Sequence, residues 1–309
     1  MMKTNYQYKI NKVYKDLEEL AAKMQCKEQL EFEIANYVVK EVEEVEQKNK
    51  ADSVTAYEIS KKIKNRNELQ NCIINKLGHF YFNFYRPLLK LKIERQYIFR
   101  FIFLCTYLNY NNKLEFGNGL GDSNLLLEKD LAEVLKLSVN ETIRTKKVLK
   151  DNKLISINTD STISINKKYC IKGDVSKPKV KGSVRIMEQG IQELYLKAKA
   201  TEHKRLALLI ELLPYVNFHH NILCFNPEEE NVEEIKPLKM SDICEILGYD
   251  KTKSTRLKRD LFAIKVNGEL TVGAFETEVG RRFYINPKVY YKGTNYNNLI
   301  ALVNMFRVK

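Results

Sequence analysis

Two sets of residues in this sequence share one chemical character and one spacing: Asn140, Arg144 and Lys147, and Thr252, Arg256 and Arg259. Every member forms hydrogen bonds, and steps of four and three residues place each set along one stripe of a helix. Arginine can grip a guanine edge with two bonds, asparagine an adenine edge, and lysine or threonine either base or phosphate. A good bidentate pair is worth about 1–3 kcal/mol of discrimination between bases. Thr255 lies beside the second stripe, with Lys251 and Lys258 at its edges. Such stripes would read double-stranded DNA; the competing view is that lysine and arginine simply cover a solvated helix face. Lys146, Lys150 and Lys153, with Arg281 and Arg282, are placed to hold phosphates, which positions a protein without specifying sequence.

Such stripes need helices under them. Leu257 and Leu261, one turn apart, mark the inward face of a helix reaching Phe262, with Gly248 for the turn and Asp250 as N-cap. In the first stripe Ser138 and Glu141 form a capping-box pair opening a helix through about Lys150. Its apolar face is less clean, because Ile143, Val148 and Leu149 do not align. Short helices at Asp130–Leu135 and Asp242–Leu247 precede the two stripes. Extended runs follow them: Leu154–Ile157 and Thr162–Ile165 flanking Asn158–Ser161, then Phe262–Val266 and Phe283–Ile285 around a longer tip. The tips hold Asp160, Glu276 and Glu278, which argues against a basic insertion there.

The two itineraries are copies. LKLKIE at Leu89–Glu94 matches LKAKATE at Leu196–Glu202, and TYLNYNNKLEF at Thr106–Phe116 matches PYVNFHHNILCF at Pro214–Phe225. DLAEVL at Asp130 matches DICEIL at Asp242, and INKKYCIKG at Ile165 matches INPKVYYKG at Ile285. The offset grows from 108 to 112 to 120, as it does when only loops lengthen. The expected fold is therefore mainly α with small β wings: two tandem winged-helix domains from an internal repeat, after a helical amino-terminal region. The boundaries are 1–84 for the extension, 85–174 for the first unit, 175–186 for a basic linker and 187–309 for the second unit with a carboxy-terminal helix.

Charge agrees without deciding. The chain of 309 residues carries net +13, and its first fifty residues hold nine lysines against ten acids, so the excess lies after them. A basic field draws polyanions, though ribosomal contact or solubility would give the same sign. The segment Lys172–Arg185 adds four lysines and one arginine around Gly and Pro. Residues 6–50 space Leu17, Leu20, Met24, Leu30 and Ile34 as an amphipathic helix, able to make a homodimer, meet a partner or pack on the first unit. Thr55–Leu77 holds two further helices with Thr55 and Glu58 as a capping pair.

Enzyme signatures fail on context. Gly117-Asn-Gly-Leu-Gly121 is not followed by the helix of a dinucleotide site, and there is no phosphate-binding G-x-x-x-x-G-K-[ST]. His219, His220 and Cys224 look metal-like, but the first repeat has Asn111, Asn112 and Glu115 there. Tyrosine is abundant, yet the two-His metal motif of rolling-circle nucleases is missing. The six cysteines are scattered as in reduced proteins, and no apolar run spans a membrane. The reading is a cytoplasmic, non-enzymatic protein without metal or cofactor.

Ile191-Gln-Glu-Leu-Tyr195, Leu212-Leu-Pro-Tyr-Val-Asn217, Asp242-Ile-Cys-Glu-Ile-Leu-Gly248 and Ile285-Asn-Pro287 resemble replication-associated winged-helix proteins of low-G+C Gram-positive plasmids and phages. The tandem layout over residues 85–294 is similar to that of iteron-binding plasmid initiators. The resemblance implies origin-repeat binding by the stripes around Arg144 and Arg256, recruitment of host replication proteins, and no catalysis. A transcriptional or partition regulator, and a winged-helix protein-interaction scaffold, remain as alternatives.

Overall fold

The run Arg95-Gln-Tyr-Ile-Phe-Arg-Phe-Ile-Phe-Leu104 has no polar face to offer water, so the helix it forms must be enclosed on nearly every side. It is: from Tyr97 to Leu104 every residue is buried, Arg100 included. The computed structural model describes residues 67–117, 125–173, 182–277 and 280–307, with a few isolated positions before them. The chain divides into compact units 1–67 and 68–309. In the first, Thr55 and Glu58 are helical, while the apolar positions expected on a long helix, Leu17 to Ile34, lie outside the described residues.

The second unit is mixed α and β with small antiparallel sheets. Its first half runs through helix α1 (68–77), strand β1 (Phe80–Asn83), α2 (Tyr85–Leu89), the buried α3 (Arg95–Leu104), α4 (Leu131–Leu135) and α5 (Val139–Asp151). A hairpin of β2 (Ile155–Ile157) and β3 (Ile163–Ile165) and a short β4 (Cys170–Ile171) close it. The second half repeats the order: β5 (Val184–Met187), α6 (Glu188–Lys197), α7 (His203–Leu206), α8 (Leu208–Glu211), α9 (Met240–Ile246) and α10 (Ser254–Phe262). It continues with β6 (Lys265–Val266), β7 (Glu269–Leu270), β8 (Val272–Thr277), β9 (Gly280–Ile285), β10 (Tyr290–Tyr291) and α11 (Tyr296–Arg307).

Equivalent residues make equivalent bonds. Asn112 and Asn221 both adopt left-handed backbone, with φ of 61° and 53°. The buried Asn112 amide donates to the carbonyls of Ile165 and Cys170 at 3.0 and 2.9 Å, and Asn221 donates to Ile285 and Tyr290 at 3.2 and 3.0 Å. Each asparagine thus ties the hairpin to the strand behind it, replacing backbone partners that a buried carbonyl cannot do without. Likewise the Leu127 amide donates to Asp130 Oδ2 and the Lys239 amide to Asp242 Oδ2, at 2.8 and 2.7 Å, opening the helices α4 and α9. Lys136 takes φ 48° where the second half has Gly248 at 69°.

The halves close one core between them. Strands β1 and β5 pair antiparallel at the centre of a four-stranded sheet ordered β10-β5-β1-β4. Phe82 faces Arg185, and β4 and β10 flank the pair with Phe82 opposite Ile171 and Arg185 opposite Tyr291. The register is self-equivalent, so an approximate two-fold passes through the Phe82–Arg185 pair. Residues 184–186, expected in a linker, are therefore a central strand: Val184 and Ile186 are buried on one face while Arg185 lies over Phe80 and Phe82 on the other. In the helix layer the matching carbonyls of Leu135 and Leu247 each accept a bond from the other half, through donors at different positions. Arg95 binds Glu211 through two bonds of 2.6 and 2.7 Å and donates to the Leu247 carbonyl, and Tyr195 donates to the equivalent Leu135 carbonyl at 2.8 Å. Helices α1 and α11 meet in a second cluster of Leu69, Ile73, Leu299 and Val303.

Gly190 on α6 shows how closely the layers approach. A Cβ there would sit 1.9 Å from the Lys288 carbonyl oxygen, in the turn between β9 and β10. Backbone cannot yield as a side-chain tip can, so Gly190→Ala is expected to cost about 3 kcal/mol of stability, measured by urea unfolding. A loss under about 0.5 kcal/mol, the range of a neutral surface change, would mean that the turn moves aside freely.

Candidate nucleic-acid interface

Helix α5 begins at Ser138, whose Oγ accepts from the Glu141 amide at 3.4 Å. Only this half of the expected capping box forms, because the Glu141 carboxylate is turned toward Arg100 at 2.6 Å. The inward face is Thr142, Thr145 and Leu149. This settles the register that the sequence left ragged: Ile143 points outward and Val148 is half-buried. Asn140, Arg144, Lys147 and Lys150 are all exposed. On α10 the inward pair is Leu257 and Leu261, as the periodicity predicts, and Thr255, Arg256, Lys258 and Arg259 are exposed.

The guanidinium groups on these faces are loosely held. Arg144 lies 3.8 Å from Glu141, Arg256 3.8 Å from Asp260 and Arg259 4.0 Å from the same carboxylate. Surface pairs of this kind contribute about 0–1 kcal/mol, so the side chains can exchange them for another anion or acceptor at little cost. Thr252 is less free: its hydroxyl and amide both donate to Asp250 Oδ1, at 2.7 and 2.8 Å, which holds the Asp250 carboxyl below its usual range. Asp250 opens a 3-10 turn over Lys251–Lys253 before the helix proper starts at Ser254. The Lys251 backbone belongs to that turn; its side chain lies outside the described residues.

Three of the flanking cations differ from expectation. Arg282 is buried and donates to the Val232 carbonyl at 3.1 Å, so it cannot hold a phosphate. Its neighbour Arg281 is exposed on the opposite side of β9 but paired with Glu276 at 2.6 Å. Lys146 binds Glu128 and pulls that carboxyl below its usual range, leaving no free charge. The second hairpin is also redrawn. Asn267 and Gly268, with φ of 49° and 77°, turn β6 back into β7, and the long hairpin is β8 with β9. An Asn-Gly pair between apolar runs is a strong short-range hairpin signal, and it stands plainly in the sequence. Glu278 at the tip lies outside the described residues, as do residues 118–121 of the glycine loop.

Shallow grooves occur at matching places beside both helices. The first is lined by Leu127, Lys129, Leu131, Val139, Ile143 and Lys146, the second by Lys239, Met240, Thr255, Lys258 and Arg281. His219 and His220 both turn toward Glu230, His219 Nε2 lying 3.9 Å from its carboxylate and His220 Nε2 3.2 Å from its carbonyl; among the described residues no group of three or more His, Cys, Asp or Glu is placed to hold a metal ion. Both histidine backbone amides bond to Asn217 Oδ1 at 2.9 Å, forming the turn that Asn109 organises in the first half through the amides of Asn111 and Lys113. Among the described residues Cys72, Cys105, Cys170, Cys224 and Cys244 are free thiols, and no helix is long and apolar enough to cross a membrane.

Behind α5 stands a residue the sequence reading missed. Arg100 is 2% exposed and reaches three groups: Glu141 at 2.6 Å and Thr145 at 2.9 Å on α5, and His203 Nδ1 at 3.3 Å on α7. An arginine inside the otherwise apolar stretch Tyr97–Leu104 was its signal. Because Arg100 donates to Nδ1, His203 is neutral; burial and the guanidinium push its pKa from 6.5 down to about 4. The unfolded chain therefore binds more protons between those values, and the stabilisation is complete above pH 6.5 and lost as pH falls through 4. We expect this group to remove about 3 kcal/mol of stability over that window. Urea unfolding of wild type and His203→Gln across it should show the gap closing on acidification; a constant gap would show that His203 does not titrate there.

No protein-family model, curated protein or solved structure matches the chain.

Proposed function

We propose that this protein binds double-stranded DNA sequence-specifically through two tandem winged-helix units, with α5 and α10 as the helices that enter the major groove. The observation that carries the reading is one arrangement found twice. At equivalent positions of two halves built on equivalent bonds, each second helix, with the turn that opens it, packs one side on the core and exposes hydrogen-bonding side chains on the other: Asn140, Arg144 and Lys147, and Thr252, Arg256 and Arg259. Helices of this kind read base edges while their neighbours hold the backbone. The protein acts by binding and has no catalytic role. We infer that it serves plasmid or phage replication, gripping origin repeats in the cytoplasm and recruiting host replication proteins.

A regulator of transcription or partition would use the same two helices, and the approximate two-fold through Phe82 and Arg185 favours inverted half-sites, which suit such a role. The two readings share the footprint and differ in its arrangement. Duplexes selected from a random library by the full-length protein, then compared with scrambled duplexes by fluorescence anisotropy over a salt series, test the common part. Discrimination that survives salt supports it; equal and steeply salt-dependent binding to both duplexes would reduce it to a basic surface. Direct repeats of the whole footprint, and replication of a replicon deprived of its own initiator, would then favour the origin role. A lone footprint at a promoter would favour the regulator.

A further inference from the structure

Two large apolar residues stand exposed on the face of α5 that carries the polar stripe: Val139 at 68% and Ile143 at 52%. A single exposed hydrophobic residue is ordinary and needs no explanation. These two lie one turn apart on the first turns of the helix and form one ridge, while Thr142, Thr145 and Leu149 face inward and pack the core. At 100° per residue, Ile143 lies about 40° to one side of Lys147 and Arg144 about 60° to the other. The ridge and the hydrogen-bonding stripe therefore share one outward surface. Arg144, Lys147 and Lys150, all exposed, surround the ridge with positive charge, which suits a polyanion better than an apolar protein surface.

We propose that Val139 and Ile143 read thymine 5-methyl groups in the half-site held by α5, so that this half-site requires thymine at positions beside those read by Asn140 and Arg144. The inference rests on the DNA-binding reading above and adds a base to it. In the major groove the 5-methyl is the one apolar feature a base presents, and it is matched by an apolar side chain. Both residues are β-branched and restricted at χ1, so they meet a methyl group with little entropy left to lose. The second half has Lys251 and Thr255 at the equivalent positions, a cation and a smaller, half-polar side chain, so it lacks the apolar pair.

The test is a duplex selected by the full-length protein, with each thymine replaced singly by deoxyuridine, which removes only the methyl. Arg144→Ala and Arg256→Ala assign the half-sites by the positions at which each relaxes discrimination. One or two deoxyuridines in the α5 half-site are expected to weaken wild-type binding about three- to fivefold, the worth of one buried methyl group. Ile143→Ala or Val139→Ala should weaken binding to the thymine duplex by a similar factor and lose the response at the same position. Deoxyuridine in the other half-site should affect wild type and variants alike. Thermal unfolding of each variant checks that these exposed positions leave the fold intact. Discrimination between duplexes with no deoxyuridine response, or with the same response in wild type and both variants, overturns the thymine assignment and leaves DNA binding standing. If the full chain selects no duplex at all, both fall.

Discussion

Replacing Arg144 and Arg256 together by alanine is expected to weaken binding to a selected duplex by roughly thirtyfold to twenty-thousandfold, while leaving the unfolding midpoint unchanged. Each arginine projects from the exposed centre of its helix, with side-chain exposures of 73% and 66%, and each is held only by a carboxylate 3.8 Å away. Nothing in the core notices their loss. If each makes one bidentate contact, it contributes about 1–3 kcal/mol, and well-separated contacts add. Single replacements should relax specificity at different positions of the site, one per half, and should change the salt dependence less than they change discrimination. Anisotropy on selected and scrambled duplexes gives the comparison. A double variant within about threefold of wild type on the selected duplex, less than 1 kcal/mol, would remove α5 and α10 from the reading of DNA.

Arg100→Met should act in the opposite way, with its large effect on folding. The buried guanidinium satisfies Glu141, Thr145 and His203 together, and its face lies 5.5 Å from the centroid of the Tyr97 ring. Removing one member of a buried charged set strands the others, at a cost of about 3–5 kcal/mol. Methionine fills most of the space, so the loss is electrostatic rather than a cavity. Arg100→Lys should fail to rescue, since one ammonium cannot meet three partners in the geometry of a guanidinium. The signature that separates this from general loosening is on His203. Without the neighbouring cation its pKa should rise from about 4, a shift readable by NMR titration. Stability within about 1 kcal/mol of wild type, or an unmoved His203, would show that the cluster is incidental.

What was legible in the sequence was whatever depends on neighbours along the chain. Leu257 and Leu261 gave the inward face of α10 because a helix period is local, and Ser138 gave the start of α5 for the same reason. The matching turns at Asn112 and Asn221 were legible because turns of one kind need residues of one kind. The misreadings concern which side of an element faces the core, which local pattern does not decide. Arg281 and Arg282 are adjacent and identical in type, yet β9 sends one to solvent and the other beneath the Val232 carbonyl. Val184–Ile186 sits among lysines and glycines and reads locally as linker, although its partner β1 lies a hundred residues earlier. Ile143 spoiled the apparent apolar face of α5 because it was never part of one.

The self-equivalent pairing of β1 with β5 bears on the history of the molecule. A strand that pairs with its own copy about a two-fold is what two identical subunits would use to meet. Two copies of a chain of half the length would assemble through such a ladder and, on the DNA-binding reading proposed above, would meet the same half-site twice, in mirrored order. Joining them in one chain keeps the geometry and lifts the obligation to be alike. Asn140 could then part from Thr252, Ile143 from Thr255 and Lys147 from Arg259 without disturbing the core they share. A lopsided target, with one arm rich in methyl groups and the other not, is what such freedom permits.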